Sequence, residues 1–216
     1  MNFLAHFHLA WPEPGLVAGA LEGDYLKGPL RGQCSADIEA GVRLHRAIDA
    51  YTDQHPVMEE LRAAFPAHLR RYAGILIDIS FDHYLSLAWE RYHQQPLDDF
   101  ALAVYDVLES RHHELGSGAQ RMARRLVDHD ILTRYHRWDA VTGTAERIGE
   151  RLRRGNALAG VEPALSPLRP ALQSAFTAFY PELQDFAGKY RRQLNQSAVG
   201  DSNQRGTRVA PPPKNV

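Results

Sequence analysis

The chain of 216 residues is 44% hydrophobic and 24% charged, and its 25 Lys and Arg against 26 Asp and Glu leave a formal net charge of -1. That balance suits one globular core, is too apolar for disorder, and excludes any overall attraction to nucleic acid or to an anionic membrane. A single cysteine, Cys34, has no partner for an internal disulfide, so a reducing cytoplasm is expected.

The opening stretch "MNFLAHFHLAWPEPG" lacks a basic region, and His6 and His8 interrupt its apolar run, so it does not read as a signal peptide. No later apolar run is long enough to span a bilayer. Residues 37–51 repeat Ile38, Val42, Leu44 and Ile48 at helical spacing, and Pro56 suits the first turn of a helix over 56–65. A longer helix is predicted over 69–92. Pro96 opens "PLDDFALAVYDVLESRHHEL", whose early acids and late histidines match the helix dipole at both ends. "SGAQRMARRLVDHD" is amphipathic. Two further helices are predicted over 140–154 and from Pro170 onward, with Pro181 expected to break or kink the last. Strand alternation is nearly absent. From Asn195 the composition turns polar with Gly and Pro. The reading is all-α: a compact single-domain helical bundle over 1–194 and a flexible, disordered C-terminal tail over 195–216.

Within the apolar stretch "IDISFDHYL", Asp78 and Asp82 lie about 40° apart on the predicted helix. They share a sector with Ile75, Ile79, Leu85 and Trp89. A lone carboxylate there loses its charge or needs a cation. His83, about 100° further round, faces a neighbouring element or the rim of the same cavity. The preceding helix repeats the arrangement, with His45 and Asp49 four apart beside Ile38, Val42 and Ile48. A divalent metal between the two helices satisfies these groups together, because imidazole and carboxylate both ligate first-row ions. His6 and His8 of "HFH" and Asp24 of "EGDYLKG", set between glycines that allow close backbone approach, are further metal candidates. The competing reading pairs the acids with Arg46, Arg70 or Arg71 in a helical binding module without metal. An i,i+4 pair on each of two successive helices favours the metal.

The segments "MNFLAHFHLA", "GDYLKG", "GVRLHRAIDAYTDQHP" and "RRYAGILIDISFDHYLSLAW", with the pattern from Phe100 to Leu108, resemble the acyl carrier protein phosphodiesterases over most of residues 1–190. The resemblance implies an HD-domain-like fold, a divalent ion, usually manganese (Mn2+), and hydrolysis of holo acyl carrier protein to the apo form and 4'-phosphopantetheine. It places Asp24, His45, Asp49, Asp78, Asp82 and His83 at the metal and catalytic centre, with His6, His8 and His55 as neighbours. Asp24 then orients water or takes its proton, and His83 or His55 protonates the leaving serine oxygen. The His-Asp dipeptide that names the HD enzymes is absent from these segments, and Asp82–His83 reverses it. Carrier proteins are acidic, so a basic docking surface is expected among Lys27, Arg31, Arg70, Arg71, Arg121, Arg124 and Arg125. The alternative enzyme is an HD-like phosphohydrolase of a small phosphoester or nucleotide, which the lack of a Gly-rich phosphate loop disfavours.

Overall fold

The computed structural model describes residues 2–151 and 158–206, with side chains as far as Gln196. Among the described residues all regular structure is helical. In chain order the helices are α1 (Phe3–Ala10), α2 (Pro14–Glu22), α3 (Ala36–Gln54), α4 (Pro56–Ala64), α5 (Ala73–Leu87), α6 (Trp89–Tyr92), α7 (Leu97–Ser110), α8 (Ser117–Asp128), α9 (Ile131–Arg134), α10 (Trp138–Gly149), α11 (Glu162–Leu165) and α12 (Arg169–Gly206).

The first of these organises the rest. Every residue from Leu4 to Ala10 is buried, the state expected of a helix that is apolar on all sides. It packs against α2, α3, α5 and α12. Both of its ends lie inside the protein, where unpaired backbone groups are costly. Asn2 provides no side-chain cap. Instead the Asp82 carboxylate, reaching from α5, accepts the amide of Leu4 at 2.8 Å and that of Ala5 at 3.1 Å. At the other end Arg191 of α12 donates to the carbonyls of Leu9, at 3.2 Å, and Trp11.

Helices α2 and α3 cross almost backbone to backbone. A Cβ on Gly41 would stand 2.6 Å from the Leu16 carbonyl oxygen and 2.7 Å from Gly19 Cα, so both glycines are needed for the approach.

His8 locks α1 to the far side of the core. Its Nε2 donates to the Tyr92 carbonyl at 3.2 Å, and its Nδ1 accepts the Tyr180 hydroxyl at 2.7 Å. Both ring nitrogens are satisfied by one neutral tautomer. Burial pushes this imidazole down to about 4, from 6.5. The folded value lies below the unfolded one, so the contribution of His8 to stability is complete above pH 6.5 and is lost as pH falls towards 4. Urea unfolding of wild type and His8→Gln across this window is expected to show a wild-type loss larger by about 3 kcal/mol. Parallel profiles would show that His8 titrates alike folded and unfolded.

Two expectations from the sequence change. The predicted 69–92 helix is divided into a 3-10 turn at Arg70–Tyr72, α5 and α6. Arg70 turns back to the carbonyls of Phe65 at 3.1 Å and Ala63 at 3.4 Å, closing the end of α4 and holding this segment as a turn. The last helix continues through Pro181, with no break there. The residues around it, Phe176, Phe179, Tyr180, Leu183 and Ala187, are buried, and that burial outweighs the roughly 3 kcal/mol of an internal proline. Helix α12 extends to Gly206. The remainder of the expected tail, 207–216, and the end of the expected 140–154 helix lie outside the described residues.

Candidate metal centre and active site

Three side chains from two helices converge beside α1. His6 comes from the middle of α1, and His45 and Asp49 from one face of α3. One ligand atom of each lies within 4.8 Å of the others. The Asp49 carboxylate spans the two imidazoles, with Oδ1 3.1 Å from His6 Nε2 and Oδ2 3.1 Å from His45 Nε2. The rings stack with centroids 4.0 Å apart and planes 17° from parallel.

The arrangement is closed on the nitrogen side and open on the oxygen side. The His6 and His45 side chains are 5% and 4% exposed, against 43% for Asp49. Neither nitrogen of His6 meets hydrogen-bond geometry, and His45 Nδ1 also lacks a hydrogen-bond partner. Buried imidazole nitrogens are rarely left so. Burial and the adjacent His45 push the His6 imidazole down to about 3, which keeps it neutral as a ligand must be. Burial alone would raise the Asp49 carboxyl, but the His45 and His6 imidazoles reverse this and hold it well below the usual range. Two imidazole nitrogens and an ionised carboxylate, open on one side, fit a divalent first-row ion with room for a further ligand.

Asp24 stands at the rim. Its Oδ1 is 3.8 Å from His45 Nε2, and its side chain is 48% exposed. Burial pushes its carboxyl above the usual range; His45 and Lys27 oppose the shift, while Asp49 adds to it. The placement depends on Gly23, where a Cβ would stand 2.6 Å from His45 Cδ2. The backbone of Gly23 is ordinary right-handed helix, so the glycine serves close approach and no turn. Arg46 of α3 secures the loop that follows, donating to the carbonyls of Leu26 at 2.6 Å and Gly28 at 2.8 Å. Gly23→Ala is therefore expected to displace the His45 ring, destabilise the fold by about 1–3 kcal/mol and weaken divalent-ion binding. Unfolding curves and metal titration by calorimetry check both; wild-type metal affinity would show that the ring needs no such cradle.

Of the residues singled out from the sequence, His6, His45 and Asp49 come together and Asp24 borders them. Asp78 is partly buried on α5. Burial lifts its carboxyl, and Asp49 is close enough to add to the effect. The others stand elsewhere. Asp82 is fully buried, and both its oxygens serve the α1 amides; burial raises it to about 7 despite these donors. His8 points away from His6, because two residues along a helix turn the side chain by about 200°. His83 donates from Nδ1 to the Tyr135 carbonyl at 2.7 Å and packs on Trp138, so it faces α9 and α10. His55 caps α4, its Nδ1 accepting the Val57 amide at 3.3 Å, and contacts Glu182. Neither histidine belongs to the His6, His45 and Asp49 group. Arg70 serves the carbonyls ending α4, and Arg71 lies over the Tyr72 ring. With Arg46 also engaged on carbonyls, these arginines form none of the ion pairs expected of a metal-free binding module among the described residues.

Comparison with known proteins follows the same line. The model of the family "Acyl carrier protein phosphodiesterase" matches residues 1–183. The chain belongs to the acyl carrier protein phosphodiesterase family. A relative so named from Photorhabdus laumondii is 32% identical over 188 residues, covering 87% of this chain and 95% of its own. Those of Yersinia enterocolitica, at 31%, and of Escherichia coli O6:H1, at 30%, cover 87% and 88% of this chain and 97% and 98% of theirs. No solved structure shows a significant match. The triad His6, His45 and Asp49 lies inside the span matched by the family, as do Asp24 and its loop. Among the described residues no helix is long and apolar enough to cross a membrane.

Proposed function

We propose that this chain is a cytoplasmic, metal-dependent phosphodiesterase that cleaves the bond between 4'-phosphopantetheine and the serine of holo acyl carrier protein, with His6, His45 and Asp49 holding manganese. The observation that carries this reading is the convergence of those three side chains, sealed at the imidazoles and open at the carboxylate, in a chain of this family.

A bound divalent ion supplies charge neutralisation for a phosphodiester and acidifies water, and the two are worth several kcal/mol of barrier. The protein's own part is organisation. Asp82 and Arg191 fix α1 at its two ends, and so fix His6. His45 and Asp49, one helical turn apart, hold their mutual position through the backbone of α3. In this reading Asp24 accepts a proton from water, a role that its raised pKa and open side support. Lys27, near enough to Asp24 to affect its charge, adds a cation where the phosphodiester arrives.

Incubation of the purified chain with holo carrier protein and Mn2+, followed by mass spectrometry, is expected to show loss of the phosphopantetheine mass. Holo carrier left intact with manganese, iron and zinc alike would overturn the reading, and turnover of nucleotides in its place would identify a small-substrate phosphohydrolase.

A further inference from the structure

The loop that carries Asp24 ends against α8. The Tyr25 ring lies on Gly118, where a Cβ would stand 3.1 Å from both Tyr25 Cγ and Cε1. Arg121 and Arg125 follow Gly118 by three and seven residues, which places them about 60° and 20° from it around the helix. Both therefore share the α8 face that Tyr25 covers, and both are exposed. Burial and Asp24 raise the Tyr25 phenol while Arg121, Arg151 and Arg125 oppose the shift, so all three cations lie within electrostatic reach of the ring. Two residues after Tyr25, Lys27 is exposed, and in sequence it lies between the two residues whose carbonyls Arg46 holds.

These cations differ from others in the molecule. Arg111 is neutralised by Asp37 at 2.8 Å and by Glu114, and Arg62 by Asp53. Lys27, Arg121 and Arg125 form no ion pair with a carboxylate among the described residues. Tyr25 is one of the few large hydrophobic side chains left exposed, at 36%. An exposed aromatic among unpaired cations is the composition of a protein-binding hot spot, and its charge calls for an acidic partner. Its position, one residue from Asp24, sets it beside the metal triad.

We infer that Tyr25, Lys27, Arg121 and Arg125 form the surface on which an acidic protein substrate docks, so that its phosphodiester reaches His6, His45 and Asp49. The inference rests on the carrier protein being the substrate. Arg70 and Arg71, in the 3-10 turn before α5, are engaged instead on the carbonyls ending α4 and over the Tyr72 ring.

The test is charge reversal, Arg121→Glu with Arg125→Glu, in the full chain loaded with Mn2+. The variant is expected to raise KM for holo carrier protein at least tenfold, with the change in KM rather than kcat. It is also expected to weaken binding of apo carrier protein in calorimetry by a similar factor and to flatten the wild-type salt dependence. Arg121→Lys with Arg125→Lys is expected to restore all three, and an unchanged unfolding midpoint excludes misfolding. Wild-type KM, binding and salt dependence in the reversed variant would overturn the docking surface while leaving the substrate assignment intact. Failure of the wild type to turn over holo carrier protein would overturn both.

Discussion

Asp49→Asn is expected to reduce turnover of holo carrier protein by on the order of 10³-fold, since it removes the anionic ligand of the proposed centre and with it several kcal/mol of transition-state stabilisation. The substitution keeps the size of the side chain and one acceptor oxygen. Asp49 is nearly half exposed, so its ion-pair contribution to folding is small, and the metal-free variant is expected to unfold within about 1 kcal/mol of wild type. Elemental analysis after dialysis against Mn2+ should find about one equivalent on the wild type and a small fraction of that on the variant. A variant that retains both the ion and most of its activity would remove Asp49 from the centre.

The second large effect is on stability. Asp82→Ala leaves the buried amides of Leu4 and Ala5 without acceptors, and at about 1–3 kcal/mol for each stranded group the expected loss is about 3 kcal/mol in the metal-free protein. Urea denaturation in the presence of a chelator measures this directly. Metal binding is expected to weaken as well, because His6 immediately follows the amides that lose their partner. The two roles open to this carboxylate separate cleanly. A cap costs stability with or without the ion, whereas a ligand would cost metal affinity and leave the metal-free fold unharmed. Wild-type stability of the chelated variant would return Asp82 to the ligand set.

Asp82 also shows how far local patterning reaches. Helical spacing alone places Asp78, Asp82, His45 and Asp49 on inner faces; the structure buries His45 and Asp82, leaves Asp49 and Asp78 partly buried, and gives Asp82 a different purpose. An inward carboxylate needs positive partners, but spacing does not say whether these are an ion, an arginine or the amides of a helix terminus 77 residues away in sequence. For His45 and Asp49 the answer is the cluster, and for Asp82 it is α1. His6 and His8 were ambiguous for a related reason. A segment apolar on every side has no periodicity to mark it as helical, and only in a helix do residues two apart face opposite ways. The surface helices α3, α4, α7 and α8 were legible in outline because each carries a polar face or a proline at its start. Asp24 was legible from its flanking glycines, although Gly23 acts by admitting the His45 ring. The guanidinium contacts of Arg46, Arg70 and Arg191 were not, since each seeks a carbonyl that tertiary packing brings near.

The central claim, that His6, His45 and Asp49 hold a divalent ion, is tested most directly by anomalous diffraction from crystals soaked in Mn2+. A single strong peak at coordinating distance from all three side chains, with an open side towards Asp24, is the predicted result. No peak there, or a peak between Asp78 and Asp82 with the amides of Leu4 and Ala5 released, would contradict it.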